Sequence, residues 1–543
     1  MEKFKPYAFL FLAALIYTQG FPNHLGIIFP LGPIIATAIL FHFLIKASGL
    51  KKRLWLYLFY NTVINIHSFS WITKTLQEFG QLPFMVAAIA NSLYALVFNP
   101  HIWVLIFLYT WLEKKYEIEP KKVFYSGFSS VYFALVLTLI EFYLPQQFPV
   151  LIGQPWIIFG NYLGMAAVTG MVGFSFFSYL VVAEILNFKS HQKVSIVNII
   201  AVFGFVGANF YFAHQKEAKI SEIVKDSKKT YQVRLVQANI SNFLKMDSEK
   251  GEFHSVNSVL ERYENLSLEK SERKLDLVVW PETAYPYPLY TSPANIMATQ
   301  VPTIFTKIAY EMNSAVLFGG YDHFKNSDDG SYYKTEYNAA LFVNTLGQLE
   351  KVYHKHILIP FGETLPFGPL NKMISQYVPE VAFFREGTAK PLFETENGLR
   401  FIATICYEKL RPEFLREYLN SNKKLPHVMI NLTNDSWYGD TLEPELHLFL
   451  ARWRSAEFAI PTLRSTNTGV SVFIDRYGRE KKRLGYNKTG NLDVTLDTKD
   501  LAQLEPSFYQ KNGIRTLLVL IFGLFIFQGI LLKYRHVKTS HKS

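Results

Sequence analysis

The charged residues of this 543-residue chain are divided very unevenly. Residues 1–213 carry 13 Lys/Arg and 7 Asp/Glu, about 9% of positions, whereas the remaining 330 residues carry 79 charges, about 24%. About a quarter is ordinary for a soluble domain. A 213-residue stretch with so little charge has nowhere in water to put its apolar surface, so the pattern predicts a membrane region followed by a globular domain. Two other classes are excluded. Half of all residues are apolar, too many for a disordered chain, and one cysteine cannot build a disulfide scaffold.

Roughly 20 apolar residues cross a bilayer core. Spans are expected near 7–22, 25–47, 54–73, 84–112, 123–145, 157–188 and 194–213, with an eighth near 514–533. Residues 1–22 are taken as a span, because no small-residue cleavage site follows. Basic residues mark alternate loops: Lys3 and Lys5; Lys51, Lys52 and Arg53; Lys114, Lys115, Lys121 and Lys122; Lys189 and Lys193; and Lys533, Arg535, Lys538 and Lys542. The loops 71–83 and 146–156 contain only Lys74. By the positive-inside rule both termini are cytoplasmic. The net charge of +11 is then a topological signal, and no nucleic-acid partner is expected. The expected division is 1–213 (helices 1–7), a globular domain over 214–513 outside the cytoplasm, and 514–543 (helix 8 and a cytoplasmic tail). Glu141 and Glu184 fall near span ends, where snorkelling to the interface is expected. Neither a run of intramembrane charge nor an internal repeat suggests a transporter.

Residues 231–500 alternate strand and helix signals. Strands are expected at 233–240, 275–282, 314–322, 399–408 and 427–435, and helices over 248–268 and 411–419. Hairpins are expected around Thr345-Leu346-Gly347 and Arg476-Tyr477-Gly478. The pattern predicts a mixed-sheet, layered α/β or α+β domain with its own core.

Three side chains carry candidate chemistry. Cys406, the only thiol, ends a strand and precedes Tyr407 and Glu408. A free cysteine is usually inert packing, but strand ends are where sites of layered α/β folds gather. Lys355 lies in Tyr353-His354-Lys355-His356-Ile357-Leu358-Ile359-Pro360-Phe361-Gly362-Glu363 and otherwise reads as a solvated basic patch. His354 and His356 alternate with it and should face away. Zinc wants three or four convergent ligands, so no metal is expected. Glu282 ends an apolar strand. A carboxylate there has a raised pKa unless it is paired, which suits a general base, although a helix-capping ion pair is the plain alternative.

A carboxylate, a lysine and a cysteine in that order, within VVWPETA (278–284), YHKHILIPFGE (353–363), TICYE (404–408), NLTNDSWYG (431–439) and RSTNTGVSVFID (464–475), resemble the nitrilase (carbon–nitrogen hydrolase) superfamily. With the flanking spans the whole chain resembles its membrane branch, the bacterial apolipoprotein N-acyltransferases. The resemblance implies an αββα sandwich carried by a polytopic helical membrane protein of about eight spans. It implies a bacterial inner-membrane location with the domain in the periplasm, and no cofactor. Glu282 matches the general base, Cys406 the nucleophile and Lys355 the oxyanion-stabilising cation that also lowers the thiol pKa. Glu363, Tyr407 and Glu408 match supporting positions. Asn338, Trp437, Tyr438 and Phe243 are the expected substrate contacts. The implied reaction moves the sn-1 acyl chain of a phospholipid, usually phosphatidylethanolamine, through a Cys406 thioester to the N-terminal amine of a diacylated apolipoprotein. One departure stands out: Met246 occupies the position of a family Trp, and Phe243 offers an aromatic wall instead. The apolar run 364–384, interrupted by Pro366, Pro369 and Pro379, is expected to line the acyl path or dip into the bilayer as a lid. Two alternatives remain open: a membrane-tethered amidase in which water resolves the acyl-cysteine, and a non-catalytic receptor or scaffold.

Overall fold

The computed structural model describes residues 4–78, 82–117, 127–146, 148–225, 228–291, 296–323, 336–360, 362–377 and 381–540. Lys3, Lys121, Lys122, Lys542, Phe361 and Pro379 lie outside them. The chain forms two compact units. One comprises Met1–Lys216, Thr441–Trp453 and Ser507–Ser543, and the other Glu217–Asp440 and Arg454–Pro506.

The first unit is helical. Among the described residues, two helices are long and apolar enough to cross a membrane, Ala166–His191 and Ile196–Ile223. Shorter apolar helices are Lys5–Thr18, Gly32–Lys46, Phe84–Tyr94, Gly127–Tyr143 and Arg515–Ile530. Several expected spans are broken. The stretch 84–112 is two helices, Phe84–Tyr94 and Pro100–Tyr116, because Asn99 adopts φ 50° and proline cannot continue the preceding turn. The stretch 157–188 opens with a 3₁₀ segment, Gln154–Tyr162, kinked at Gly160, before the helix Ala166–His191. Residues 54–73 divide between Leu50–Ser68 and Trp71–Glu78.

Two sequence expectations fail here. Glu141 and Glu184 do not snorkel; both are buried. Glu141 Oε1 accepts from Tyr179 Oη (2.9 Å) and Ile152 N (3.0 Å). Glu184 accepts from Ser195 N (2.8 Å) and Asn198 Nδ2 (2.7 Å), next to the start of the helix Ile196–Ile223. Arg53 is likewise no loop cation. It is fully buried, paired with both oxygens of Glu113 (2.6 and 2.8 Å) and bonded to Leu44 O (3.0 Å). Removing one partner of such a pair leaves an uncompensated buried charge.

The second unit holds thirteen strands among the described residues. They are β1 (Tyr231–Gln237), β2 (Leu277–Val279), β3 (Pro288–Leu289), β4 (Ala315–His323), β5 (Glu336–Val343), β6 (Leu349–His354), β7 (Phe393–Glu394), β8 (Arg400–Ile405), β9 (Val428–Thr433), β10 (Thr462–Thr466), β11 (Ser471–Ile474), β12 (Glu480–Leu484) and β13 (Gly490–Leu496). One sheet runs β13-β1-β2-β4-β5-β6, with β3 beside β4, and the other runs β12-β11-β10-β9-β8-β7. Each has parallel pairs at its centre, β1-β2-β4 in one and β8-β9-β10 in the other, with antiparallel neighbours outside. The central strands are almost wholly buried, as sheets covered on both faces require, and the polar residues they carry, such as Arg234 and Arg464, are paired inside. Phe342 packs its ring against Phe393 and Phe401, and Thr466 Oγ1 donates to Gln237 Oε1 (3.2 Å), so the sheets lie face to face. Helices Phe253–Leu268 and Thr303–Met312 pack on the first sheet through Tyr263 and Phe305. This is the layered, mixed-sheet α/β arrangement that the sequence suggested, and both expected hairpins are present, β5-β6 and β11-β12.

Candidate active site

Glu282 is placed by a core aromatic two residues earlier. Trp280 is fully buried, stacked on Tyr263 (4.6 Å between ring centroids) and edge-on to Phe305 (4.8 Å), with Nε1 donating to Ser267 Oγ (2.8 Å). The chain leaving β2 then follows β4, where Trp280 N donates to Leu317 O (2.9 Å) and Tyr285 N to Gly319 O (3.1 Å). Gly319 allows this close path, since a Cβ there would collide with the Pro281 carbonyl and Glu282 Cα.

Lys355 is the first residue beyond β6, is wholly buried, and donates its backbone N–H to Asn338 O (2.9 Å). Its Nζ donates to Glu282 Oε1 (3.1 Å) and Glu363 Oε1 (2.8 Å). Asn338 Nδ2 bridges the same two oxygens at 2.8 and 2.9 Å. The outer oxygens are also held: Glu282 Oε2 accepts from Asn434 N and Glu363 Oε2 from Ile359 N, both at 2.9 Å. Burial alone would lower the Lys355 pKa, but Glu282 and Glu363 more than reverse that, so the group is held above its ordinary range as an ammonium. The plain alternative for Glu282, a helix-capping pair, is not what forms.

Cys406 is the residue after β8 and opens the 3₁₀ turn Cys406–Leu410. It is buried and adopts φ 49°, a conformation that costs a non-glycine residue about 1–3 kcal/mol and that surrounding structure must enforce. Burial pushes its thiol pKa well up, Glu282 adds to that, and Lys355 acts in the opposite direction. Lys355 thus acts on the thiol in the expected sense, but burial and Glu282 outweigh it. Glu282 and Lys355 on one sheet and Cys406 on the other are therefore brought into one electrostatic cluster.

Glu408 feels the Lys355 charge but hydrogen-bonds elsewhere. It accepts from Ile405 N (2.7 Å), His356 N (2.6 Å) and Tyr353 Oη (2.8 Å), and burial raises its pKa to about 7. It ties the backbone beside Cys406 to the backbone beside Lys355. Tyr407 is buried, with the Arg411 guanidinium 4.5 Å over its ring and donating to its hydroxyl. His354 pairs with Asp322 (2.6 Å), away from Lys355. Trp437 and Tyr438 lie in the turn Asp435–Tyr438 directly after β9. Phe243 is 81% exposed on the helix Asn242–Glu249 and takes no part in the ion-pair cluster. In the run 364–384 the described residues form only short turns, with Phe367, Leu370, Met373 and Tyr377 exposed.

Sequence reasoning missed Asn434 and Gly319. Asn434 acts on Glu282 through its backbone N–H, which no side-chain identity advertises. Gly319 is legible only once β2 and β4 are known to be neighbours.

Comparison with known proteins follows the same division. A family described as "Carbon-nitrogen hydrolase" matches residues 232–505, and one described as "Apolipoprotein N-acyltransferase N-terminal domain" matches residues 13–183. The chain is 28% identical over 447 residues to an "Apolipoprotein N-acyltransferase" of Bdellovibrio bacteriovorus, covering 79% of this chain and 77% of the relative. It is 26% identical over 570 residues to "Apolipoprotein N-acyltransferase 2" of Leptospira interrogans, covering 91% of each. Among solved structures, Nit3 of Saccharomyces cerevisiae, of the nitrilase superfamily, aligns at 17% identity over 51% of this chain and 92% of its own, with a TM-score of 0.36.

Proposed function

The chain belongs to the carbon–nitrogen hydrolase family, and from that premise we propose that it is an acyltransferase that N-acylates apolipoproteins from a phospholipid donor. The observation that carries this reading is the buried cluster in which Lys355 bridges Glu282 and Glu363 beside a strained, single cysteine. The names of the relatives supply the substrate class: lipoproteins.

The geometry supports a two-step reaction. Glu282, oriented by hydrogen bonds from Lys355, Asn338 and the Asn434 amide, takes the Sγ proton as sulfur attacks the sn-1 ester carbonyl. The oxyanion forms near the Lys355 ammonium. As the intermediate collapses, Glu282 returns the proton to the departing lysophospholipid oxygen and a thioester remains on Cys406. The neutral lipoprotein amine then attacks the thioester, Glu282 takes its proton, the C–S bond breaks, and Glu282 passes that proton to the departing Sγ, leaving an amide and the Cys406 thiol. A thioester retains enough acyl-transfer potential to acylate an amine, so covalent catalysis divides one hard step into two. Water in place of the amine would make the same site a hydrolase, but the named relatives do not favour that outcome.

Phosphatidylethanolamine is the proposed donor. The proposed architecture is eight spans with both termini cytoplasmic, seven within 1–213, a catalytic domain over 214–513 on the periplasmic face of a bacterial inner membrane, and the last span within 514–543. Its support is the alternation of basic loops and the apolar helices of the first unit. Asn338, Phe243, Trp437 and Tyr438 are the proposed substrate contacts.

The test is N-acylation of a diacylated lipopeptide by purified protein in phosphatidylethanolamine liposomes. Cys406→Ala should abolish the product. Lys355→Met should lower the rate by about 10²–10³, the usual cost of losing an oxyanion donor. Full activity in either variant overturns the assignment.

A further inference from the structure

We propose that Lys245 is a positioning residue for Glu282, acting as a clamp on the strained residue next to it. This rests on the reading of Glu282 as the base. Thr283 adopts φ 45°, and a β-branched residue in that left-handed region is a true outlier. It directly follows Glu282 in the chain, so its backbone sets where the carboxylate points.

One side chain holds it. Lys245 Nζ donates to Thr283 O (2.6 Å) and to Thr283 Oγ1 (2.5 Å). Its remaining partner is Glu249 Oε1 (3.2 Å). An ammonium has three N–H donors and no acceptor, so two of them are committed to Thr283 while the Glu249 carboxylate balances the charge. Lys245 is therefore a fixed tie, held at its head by Thr283 on one side and Glu249 on the other. The tie is braced at its other end, since Tyr321 Oη, on β4, donates to Glu249 Oε1 (2.6 Å). The helix Asn242–Glu249, which carries Lys245, is fastened again by Asn242 Nδ2 to Ser436 O (2.6 Å), two residues past Asn434. Asn434 N is the donor to Glu282 Oε2. The helix thus spans the two segments that aim Glu282. Lys245 is 8% exposed, and a lysine is rarely so buried unless it is paired.

A clamp makes a specific prediction that general stabilisation does not. Glycine adopts φ near +45° without strain, so Thr283→Gly should make the clamp dispensable. The readout is the single-turnover rate of thioester formation on Cys406, by intact mass, for the full-length protein in phosphatidylethanolamine liposomes, with the donor KM and the melting temperature measured alongside. Lys245→Met should slow thioester formation about 10- to 100-fold, the scale of a small misplacement of a reacting group, with the KM little changed. Lys245→Met/Thr283→Gly should recover most of that loss. Lys245→Arg, which keeps the donors, should stay within a few-fold of wild type. If the methionine variant does not fold, Lys245→Gln, which keeps one donor for Thr283 O, is compared with and without Thr283→Gly in the same way. A double variant as slow as the single one, or a Lys245→Met enzyme at the wild-type rate, overturns the proposal. Glu282→Gln is measured in parallel: thioester formation at the wild-type rate there would mean that the base assignment has failed, whatever Lys245 does.

Discussion

The chemistry depends on protonation states that the surroundings of each residue impose. Cys406 is buried beside Glu282, and its thiol pKa is pushed well above the ordinary 9.0. Free thiolate should therefore be scarce at neutral pH. Alkylation of this single cysteine by iodoacetamide should keep accelerating beyond about pH 9 rather than level off earlier, because the thiolate is the nucleophile. A plateau near neutrality would show an ion pair with Lys355 at rest, contrary to this account. Glu408 gives a second test. Burial raises its pKa from 4.5 to about 7. Between those values the folded state binds more protons than the unfolded state, so this group's contribution to stability is lost as pH rises through about 7. The melting temperature should fall from about pH 5 to about pH 7.5 more steeply in wild type than in Glu408→Gln. Parallel curves would remove Glu408 from the account.

Single elements carry the alignment of the site. Gly319 on β4 leaves room for the turn that delivers Glu282, and a methyl group there meets backbone. Gly319→Ala should cost about 1–3 kcal/mol in stability, the usual price of overpacking, and at least tenfold in thioester formation. Wild-type behaviour in both would mean that the turn tolerates displacement. Much at this scale was legible in advance. The runs read as strands correspond to β1, β2, β8 and β9, and residues just beyond β2, β6 and β8 supplied the candidate cluster. What could not be read lies in contacts between segments distant in sequence. Glu408 looked like a partner of the thiol but bonds the Ile405 and His356 amides and the Tyr353 hydroxyl. Arg53 looked like a loop charge and is a buried tie. Glu141 looked interfacial and is enclosed with Tyr179. In each case the residue type was right for several environments, and only tertiary packing chose one.

At the scale of the whole molecule, the proposed reaction draws both substrates from a membrane. Apolar side chains at Phe367, Leu370, Met373 and Tyr377 stand exposed in the second unit. Exposed apolar groups clustered in one loop mark contact surfaces. A fluorophore at position 373 or 377, in a Cys406→Ala background, should be quenched by lipid-borne quenchers, and a label that reports only water would exclude a bilayer-dipping loop. Orientation has its own test. Leu346, exposed in the β5-β6 hairpin, replaced by cysteine should react with an impermeant maleimide added to spheroplasts, whereas a cysteine at the C-terminus should not. The reverse pattern would invert the topology. The most direct test of the central claim is intact mass of the purified protein after phosphatidylethanolamine and then after a diacylated lipopeptide. The account predicts one acyl-sized adduct, absent in Cys406→Ala, that the lipopeptide discharges as an amide. A folded protein that gains no adduct, or loses it to water with no amide formed, would contradict it.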